Sequence, residues 1–181
     1  MLRLVILDRD GVINYDSEQH IRSPSEWHAI PGSLEAIARL NRAGYRVLVA
    51  TNQSGLARGL LTIKDMSAIH ARMRRELAQV GGQIEAVFFC PHAREEGCEC
   101  RKPRPGLLLE IARRLGVDLR DVVVVGDALR DVQAARAAGA RPVLVRTGKG
   151  RETESSVNGL EGVAVFDDLA AVVDSLLAEH D

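Results

Sequence analysis

Short apolar runs recur along the chain, each followed by a stretch whose apolar residues return with helical period. The runs predict strands at Leu2–Leu7, Arg46–Ala50, Ile84–Phe89, Val122–Val125, Pro142–Val145 and Val163–Val165. The periodic stretches predict helices at Ser33–Ala43, Thr62–Val80, Pro105–Leu115, Leu129–Ala138 and Leu169–Ala178. This alternation indicates βα units wound around a mostly parallel sheet. The punctuation agrees: Thr62 and Asp65 resemble a capping box, Pro105 suits a first helical turn, and Gly44, Gly116 and Gly139 stand where left-handed caps belong. Two segments lack this order. Asn14–Gly32 reads as a polar loop holding the only tryptophan, and Thr147–Gly162 as an exposed, mobile connection.

At 181 residues the expectation is one domain over positions 1–181. With 24 basic against 25 acidic residues, no charge footprint for nucleic acid or anionic lipid is visible. No apolar run approaches the roughly 20 residues that span a bilayer, and the N-terminus lacks a signal-peptide pattern. A cytoplasmic monomer without membrane or nucleic-acid partners is therefore expected. The three cysteines are odd in number and clustered, which argues against a disulfide framework.

Candidate chemistry gathers where strands end. The first strand runs into "LDRDG", placing Asp8 and Asp10 two positions apart beside Gly11. Such carboxylates repel unless a proton or cation separates them, and Mg²⁺ suits them because it takes hard oxygen ligands and joins carboxylates to substrate phosphate. The tetrapeptide alone is equally compatible with a solvated turn. The second strand, however, ends in Thr51, Asn52 and Ser54, and the fourth in Asp127 and Asp131, with Arg101 and Lys102 before a further helix. In open α/β sheets ligands bind at the carboxyl ends of strands, so these residues converge on one rim. A carboxylate nucleophile, a second carboxylate, a metal carboxylate, a hydroxyl and a lysine form a set suited to phosphoryl transfer.

Asp8-Arg9-Asp10-Gly11, Thr51-Asn52-Gln53-Ser54-Gly55, Arg101-Lys102-Pro103 and Gly126-Asp127 resemble the four ordered motifs of the haloacid dehalogenase (HAD) phosphatase superfamily. With the cysteine cluster between them, the chain resembles more narrowly the D-glycero-D-manno-heptose 1,7-bisphosphate 7-phosphatase family, over about Leu4 to Gly150. The resemblance implies a three-layer Rossmann-like α/β fold. It implies that Asp8 attacks phosphorus, that Asp10 serves as acid and then base, and that Thr51 and Lys102 stabilise the transferring phosphoryl group. Mg²⁺ would be held by Asp8, the main-chain carbonyl of Asp10, and Asp127. Arg101, Asp16, Ser17, Glu18, Gln19, Asn52, Gln53 and Ser54 would meet the substrate. One departure is Ala128, where many relatives carry a lysine or a small hydroxyl residue after the metal aspartate. Arg58 and Arg130 are nearby cations, for which a solvated surface is the simpler reading.

Cys90, His92, Cys98 and Cys100 form a C-x-H-x₅-C-x-C array. A buried inert cluster is disfavoured by the charged residues among them, and a redox pair would leave the third thiol and His92 unexplained. Four ligands can close a tetrahedral Zn²⁺ shell, so a structural zinc loop at 90–100 is favoured, and the resemblance points the same way. His20, His28, His70 and His180 have no such constellation, and His70 is expected to solvate its helix face.

The intervals between motifs leave no room for a separate cap domain, so substrate selection falls to short loops. An open site suits a small phosphorylated sugar, and the resemblance names the heptose bisphosphate of lipopolysaccharide-precursor synthesis. The nearest alternative is a histidinol-phosphate phosphatase. A phospho-accepting receiver module and a zinc-dependent nucleic-acid-binding module are more distant alternatives.

Overall fold

In the computed structural model, which describes residues 3–156 and 158–179, six parallel strands form one sheet in the order β3-β2-β1-β4-β5-β6. The strands are β1 (Leu4–Leu7), β2 (Arg46–Asn52), β3 (Ala86–Cys90), β4 (Val123–Gly126), β5 (Arg141–Val145) and β6 (Ala164–Phe166). The helices are α1 (Ser33–Arg42), α2 (Ile63–Gln79), α3 (Gly106–Leu115), α4 (Leu129–Ala137), α5 (Gly150–Ser156) and α6 (Leu169–Ala178). The expected α/β architecture is present, with a sheet that is parallel throughout. Every predicted strand and helix is found, with ends displaced by a residue or two. The predicted strand start at Leu2, like His180, lies outside the described residues.

The sheet is covered on both faces, which is why its strands read as unbroken apolar runs. Val5, Leu7, Val47, Val49, Val123 and Val125 point into one core with Ile37, Leu40, Ile69, Met73, Val172 and Val173 from α1, α2 and α6. Leu4, Ile6, Leu48, Ala50 and Val124 alternate to the other face and meet Leu108, Ile111, Ala134 and Ala135 from α3 and α4. The order reverses at β1, whose neighbours are β2 and β4. The opening beyond the carboxyl ends of these three strands is the place where this topology builds ligand sites.

Local signals at the helix ends act as expected. Thr62 Oγ1 accepts from the Asp65 N–H at 3.1 Å while the Asp65 carboxylate accepts from the Thr62 N–H at 2.8 Å, closing the capping box. Among the described residues, the connection from β1 to α1 contains one short 3₁₀ turn, Pro24–Glu26, and no cap domain. No described helix is long and apolar enough to cross a membrane.

Two loop expectations need correction. Asn14–Gly32 is irregular, but Ile21, Trp27 and Ile30 are buried within it, and Trp27 is fully enclosed. Isolated apolar residues without periodicity can nail a loop to a core, and pattern reading passes over them. Thr147–Gly162 is not simply an exposed connection, because it contains α5, with Gly150 and Thr153 buried. Its composition lacks an apolar helical face. What holds it is polar: Thr153 Oγ1 donates to the Asp127 carbonyl at 3.0 Å, and Thr147 Oγ1 donates to the Gly11 carbonyl at 2.6 Å.

Trp27 Nε1 is buried without a hydrogen-bond partner among the described residues, so this side chain stabilises by packing alone. Trp27→Ala is expected to cost about 3–5 kcal/mol in urea denaturation. Trp27→Phe keeps most of the ring and removes an unpaired donor, and should cost clearly less.

Candidate active site and metal loop

The carboxyl end of β1 delivers Asp8, Arg9 and Asp10, that of β2 Thr51 and Asn52, and that of β4 Asp127. A cavity of about 190 Å³ opens there. Of the residues singled out in the sequence, Asp8, Asp10, Asp16, Ser17, Glu18, Thr51, Asn52, Ser54, Arg101 and Lys102 line it. Gln19 and Gln53 are not in its lining. Gln19 is exposed, whereas Gln53 is buried and donates from Nε2 to Asp10 Oδ2 at 3.2 Å and to Thr51 Oγ1 at 3.0 Å. His20, Arg130 and Lys149 complete the wall.

Beside the cavity, Asp8, Asp127 and Asp131 bring carboxylate oxygens within 4.8 Å of one another, and all three are buried. Lys102 Nζ sits between two of them, 3.1 Å from Asp8 Oδ1 and 2.6 Å from Asp131 Oδ1, while donating to the Ala50 carbonyl at 2.9 Å. Two cations, the Lys102 ammonium and the Arg130 guanidinium whose charge also acts on Asp8, Asp127 and Asp131, face these three carboxylates. Burial pushes the Asp8 carboxyl up to about 6, against the opposing pull of Lys102 and with help from the charges of Asp131 and Asp10. Burial, then the charges of Asp8 and Asp131, push Asp127 up to about 8. Lys102 moves upward because Asp131 and Asp8 outweigh the effect of its burial.

Asp127 tests whether a cation fits. Its Oδ2 accepts from the Lys149 N–H at 2.9 Å, but Oδ1 is buried with no hydrogen-bond partner among the described residues. A buried oxygen left unpaired beside other carboxylates is a hard-donor position suited to Mg²⁺. The backbone is shaped around this group. Gly11, at φ +85°, and Gly148, at φ +57°, approach so closely that a Cβ would stand 2.0 Å and 2.3 Å from Asp127 Oδ2. The Asp10 carboxylate lies outside the trio.

Asp10 faces a different network. Arg9 Nε donates to its Oδ1 at 2.9 Å, Asn14 Nδ2 to the same oxygen at 2.9 Å, and Gln53 to Oδ2. Burial raises the Asp10 carboxyl, but the Arg9 charge and these hydrogen bonds outweigh it and hold the group below the usual carboxylate range. Arg9 is fully buried, and its Nη1 lies 3.1 Å from His70 Nε2. His70 is therefore an inward-facing residue of α2 and not a solvated one. Helical spacing alone left its face ambiguous, and the buried arginine it meets is distant in sequence.

Arg130 also departs from the surface reading. It is half-buried against the cavity, and its Nε has no partner among the described residues, whereas Arg58 is exposed. Asp131 was legible as a rim carboxylate, but its pairing with Lys102 and the Ala128 N–H, at 3.1 Å, was not. Lys149 and Thr147 were missed because they come from the segment read as a mobile connection.

Cys90, His92, Cys98 and Cys100 converge at the end of β3 and in the loop beyond it. The three thiol sulfurs are 3.0 to 3.6 Å apart, and His92 Nδ1 lies 3.5 Å from Cys90 Sγ and 3.3 Å from Cys100 Sγ. Sulfurs about 2.3 Å from one tetrahedral ion would be separated by roughly 3.7 Å, so this Cys₃His set can bind Zn²⁺ with its shell closed. The cluster leads directly into Arg101 and Lys102. Asn52 clamps that junction reciprocally: its Nδ2 donates to the Lys102 carbonyl and its Oδ1 accepts from the Lys102 N–H, each at 3.1 Å. Arg104 Nη1 donates to the carbonyls of Gly97, at 2.7 Å, and Cys98, at 3.0 Å, bracing the loop from its other end.

Cys98→Ser is expected to lower zinc from about one per chain to well below that in elemental analysis, with a fall in melting temperature. Unchanged metal content would remove the site.

Comparison with known proteins places this arrangement among relatives. A family model described as HAD-hydrolase-like matches residues 99–172. The D-glycero-β-D-manno-heptose-1,7-bisphosphate 7-phosphatase of Bordetella bronchiseptica is 56% identical over 178 residues, 98% of this chain and 99% of the relative. That of Pseudomonas aeruginosa is 52% identical over 174 residues, covering 96% and 97%. The crystal structure of the D,D-heptose 1,7-bisphosphate phosphatase from B. bronchiseptica, complexed with magnesium and phosphate, superposes with a TM-score of 0.96 over 98% of this chain and 99% of its own, at 56% identity. Identity of this extent over nearly the whole length of both chains shows the relationship: this chain belongs to the D-glycero-β-D-manno-heptose-1,7-bisphosphate 7-phosphatase family of HAD-like hydrolases.

Proposed function

We propose that this protein is a cytoplasmic, Mg²⁺-dependent phosphatase that hydrolyses the 7-phosphate of D-glycero-β-D-manno-heptose 1,7-bisphosphate during synthesis of lipopolysaccharide precursors, acting as a monomer. The observation that carries the reading is the buried carboxylate trio beside a small polar cavity, with one unpaired Asp127 oxygen and a lysine already on Asp8. The names and the magnesium and phosphate of the relatives support the substrate class and the β anomer. The single sheet, with no cap domain among the described residues, supports one catalytic domain over residues 1–181 carrying the zinc loop.

Asp8 is the nucleophile. The Arg9 N–H, at 2.9 Å, and Lys102 donate to its Oδ1, which supports attack by Oδ2. Attack on phosphorus forms an aspartyl-phosphate and breaks the bond between phosphorus and the sugar oxygen, dividing one hard hydrolysis into two displacements. Asp10 gives its proton to the departing sugar oxygen. It then takes a proton from the water that attacks the phosphoenzyme, so the proton account closes over one turnover. The hydrogen bonds from Arg9, Asn14 and Gln53 favour the ionised Asp10 of the second half-reaction, and an arriving phosphate dianion opposes them for the first.

Asp8, Asp127 and the Asp10 carbonyl hold Mg²⁺. The ion supplies positive charge to the phosphoryl oxygens and cancels the repulsion between the carboxylates. Thr51 and Lys102 supply the remaining donors to the phosphoryl group, aligned before the reaction starts. Arg101, Asn52, Ser54 and the turn Asp16, Ser17, Glu18 and Gln19 select the sugar, with Gln53 acting from behind by fixing Asp10 and Thr51. Cys90, His92, Cys98 and Cys100 hold structural Zn²⁺, which keeps the Arg101–Lys102 segment in place.

Steady-state turnover with Mg²⁺ across the β- and α-heptose bisphosphates and histidinol phosphate tests the reading. The expected kcat/KM for the β-bisphosphate exceeds that for histidinol phosphate by about 10³-fold or more, a margin of about 4 kcal/mol in transition-state binding. Asp8→Asn should abolish turnover of all three with the fold retained. Preference for histidinol phosphate, or turnover by the Asp8 variant, would overturn it.

A further inference from the structure

His70 has no contact with the cavity, yet it is 9% exposed and its ring nitrogen Nε2 lies 3.1 Å from Nη1 of the fully buried Arg9. An arginine is charged at any relevant pH and can only donate, so Nε2 must accept and the ring must be neutral. The remaining donors of this guanidinium point elsewhere. Nε contacts Asp10 Oδ1 at 2.9 Å, Nη2 lies 2.9 Å from the same oxygen, and Nη2 reaches Gln53 Oε1 at 3.5 Å. Gln53 in turn donates to the other Asp10 oxygen and to Thr51 Oγ1. The guanidinium is thus spanned edge to edge, with Asp10 on one side and His70 on the other.

We infer that His70 is a positioning residue for catalysis: as a neutral acceptor from α2 it fixes the plane of Arg9, and through Arg9 the oxygens of Asp10 that transfer the proton. A buried guanidinium with an unpaired Nη1 would tilt toward whatever acceptor or water it found, carrying Asp10 Oδ1 with it. General acid transfer depends on the acid lying in hydrogen-bond reach of the leaving oxygen, so a small displacement lowers the rate without loosening substrate binding. Helix α2 packs on the core through Met66, Ile69, Met73 and Leu77, and its Arg72 and Arg74 donate to the carbonyls of Pro24 and Ile84, away from Arg9 and Asp10. His70 is its polar link to the site.

This inference rests on the reading of Asp10 as general acid, and substrates that differ in their need for an acid separate the two. The heptose bisphosphate leaves as a poor alkoxide and needs the proton, whereas p-nitrophenyl phosphate leaves as a stable phenolate and does not. The quantity kcat/KM reports formation of the phosphoenzyme, the step in which the acid acts. His70→Leu is expected to lower kcat/KM for the bisphosphate by about 10- to 100-fold through kcat, with KM unchanged, and that for p-nitrophenyl phosphate by less than about threefold. His70→Gln, which restores an acceptor oxygen, should recover most of the loss. If the leucine variant does not fold, His70→Ala provides the same comparison.

Equal losses on both substrates, or no loss on either, would overturn the inference. Asp10→Asn is the control. A selective loss there without one in His70→Leu removes His70 alone, whereas no selective loss in Asp10→Asn removes the acid role on which both depend.

Discussion

Three carboxylates, Asp8, Asp127 and Asp131, converge in a buried corner where β1 and β4 end, and one ammonium, that of Lys102, stands between two of them. Left in water these groups would repel weakly. Out of water the same charges interact several times more strongly, and the cost of keeping them ionised rises with burial. The upward displacement of Asp8 and Asp127 expresses that cost. The surrounding structure bears the imprint of this constraint. Gly11 and Gly148 leave space for the Asp127 carboxylate, Thr153 from α5 ties the Asp127 main chain, and Asn52 clamps the backbone of Lys102. A divalent cation at the unpaired Asp127 oxygen would add to the positive charge that Lys102 and Arg130 bring to this corner.

The zinc loop solves a related problem of delivery. Lys102 comes from an irregular segment between β3 and α3, not from the end of a strand. A lysine on a mobile loop would lose entropy on meeting Asp8 and would leave Asp131 buried without its ammonium partner whenever it swung away. The Cys₃His cluster closes the loop a few residues upstream, Arg104 gathers its carbonyls from downstream, and Asn52 binds the junction to β2. Metal binding in the loop would thereby be coupled to charge placement in the site. Loss of zinc should act on Lys102 first and on chemistry as a result.

Much of this was legible in the sequence because it depends on short-range patterns. Strand-length apolar runs ending in Asp8, Thr51 and Asp127 established the parallel sheet and its reactive rim, and Cys90, His92, Cys98 and Cys100 are close enough in the chain to be read as a ligand set. What escaped notice depends on distant pairing or on polar anchoring. His70 was read as solvated because its partner Arg9 lies in another element, and a fully buried arginine carries no local signal. Helix α5 has no apolar stripe; hydrogen bonds from Thr147, just before it, to Gly11 and from Thr153, within it, to Asp127 hold it instead. Arg130 sits on a helix whose pattern cannot tell a cavity wall from a solvated face, and Gln53 stands in the motif of its neighbours but turns inward to Asp10.

One divalent cation, held chiefly through Asp8 and the unpaired oxygen of Asp127, would offset the repulsion among the buried carboxylates. Calorimetric titration of Mg²⁺ into the wild-type chain and into Asp127→Asn tests it without reference to turnover. One site per chain is expected in the wild type, with an affinity at least about 100-fold lower in the variant, a loss of about 2.7 kcal/mol. Equal affinity in the two proteins, or no saturable site in the wild type, would contradict it.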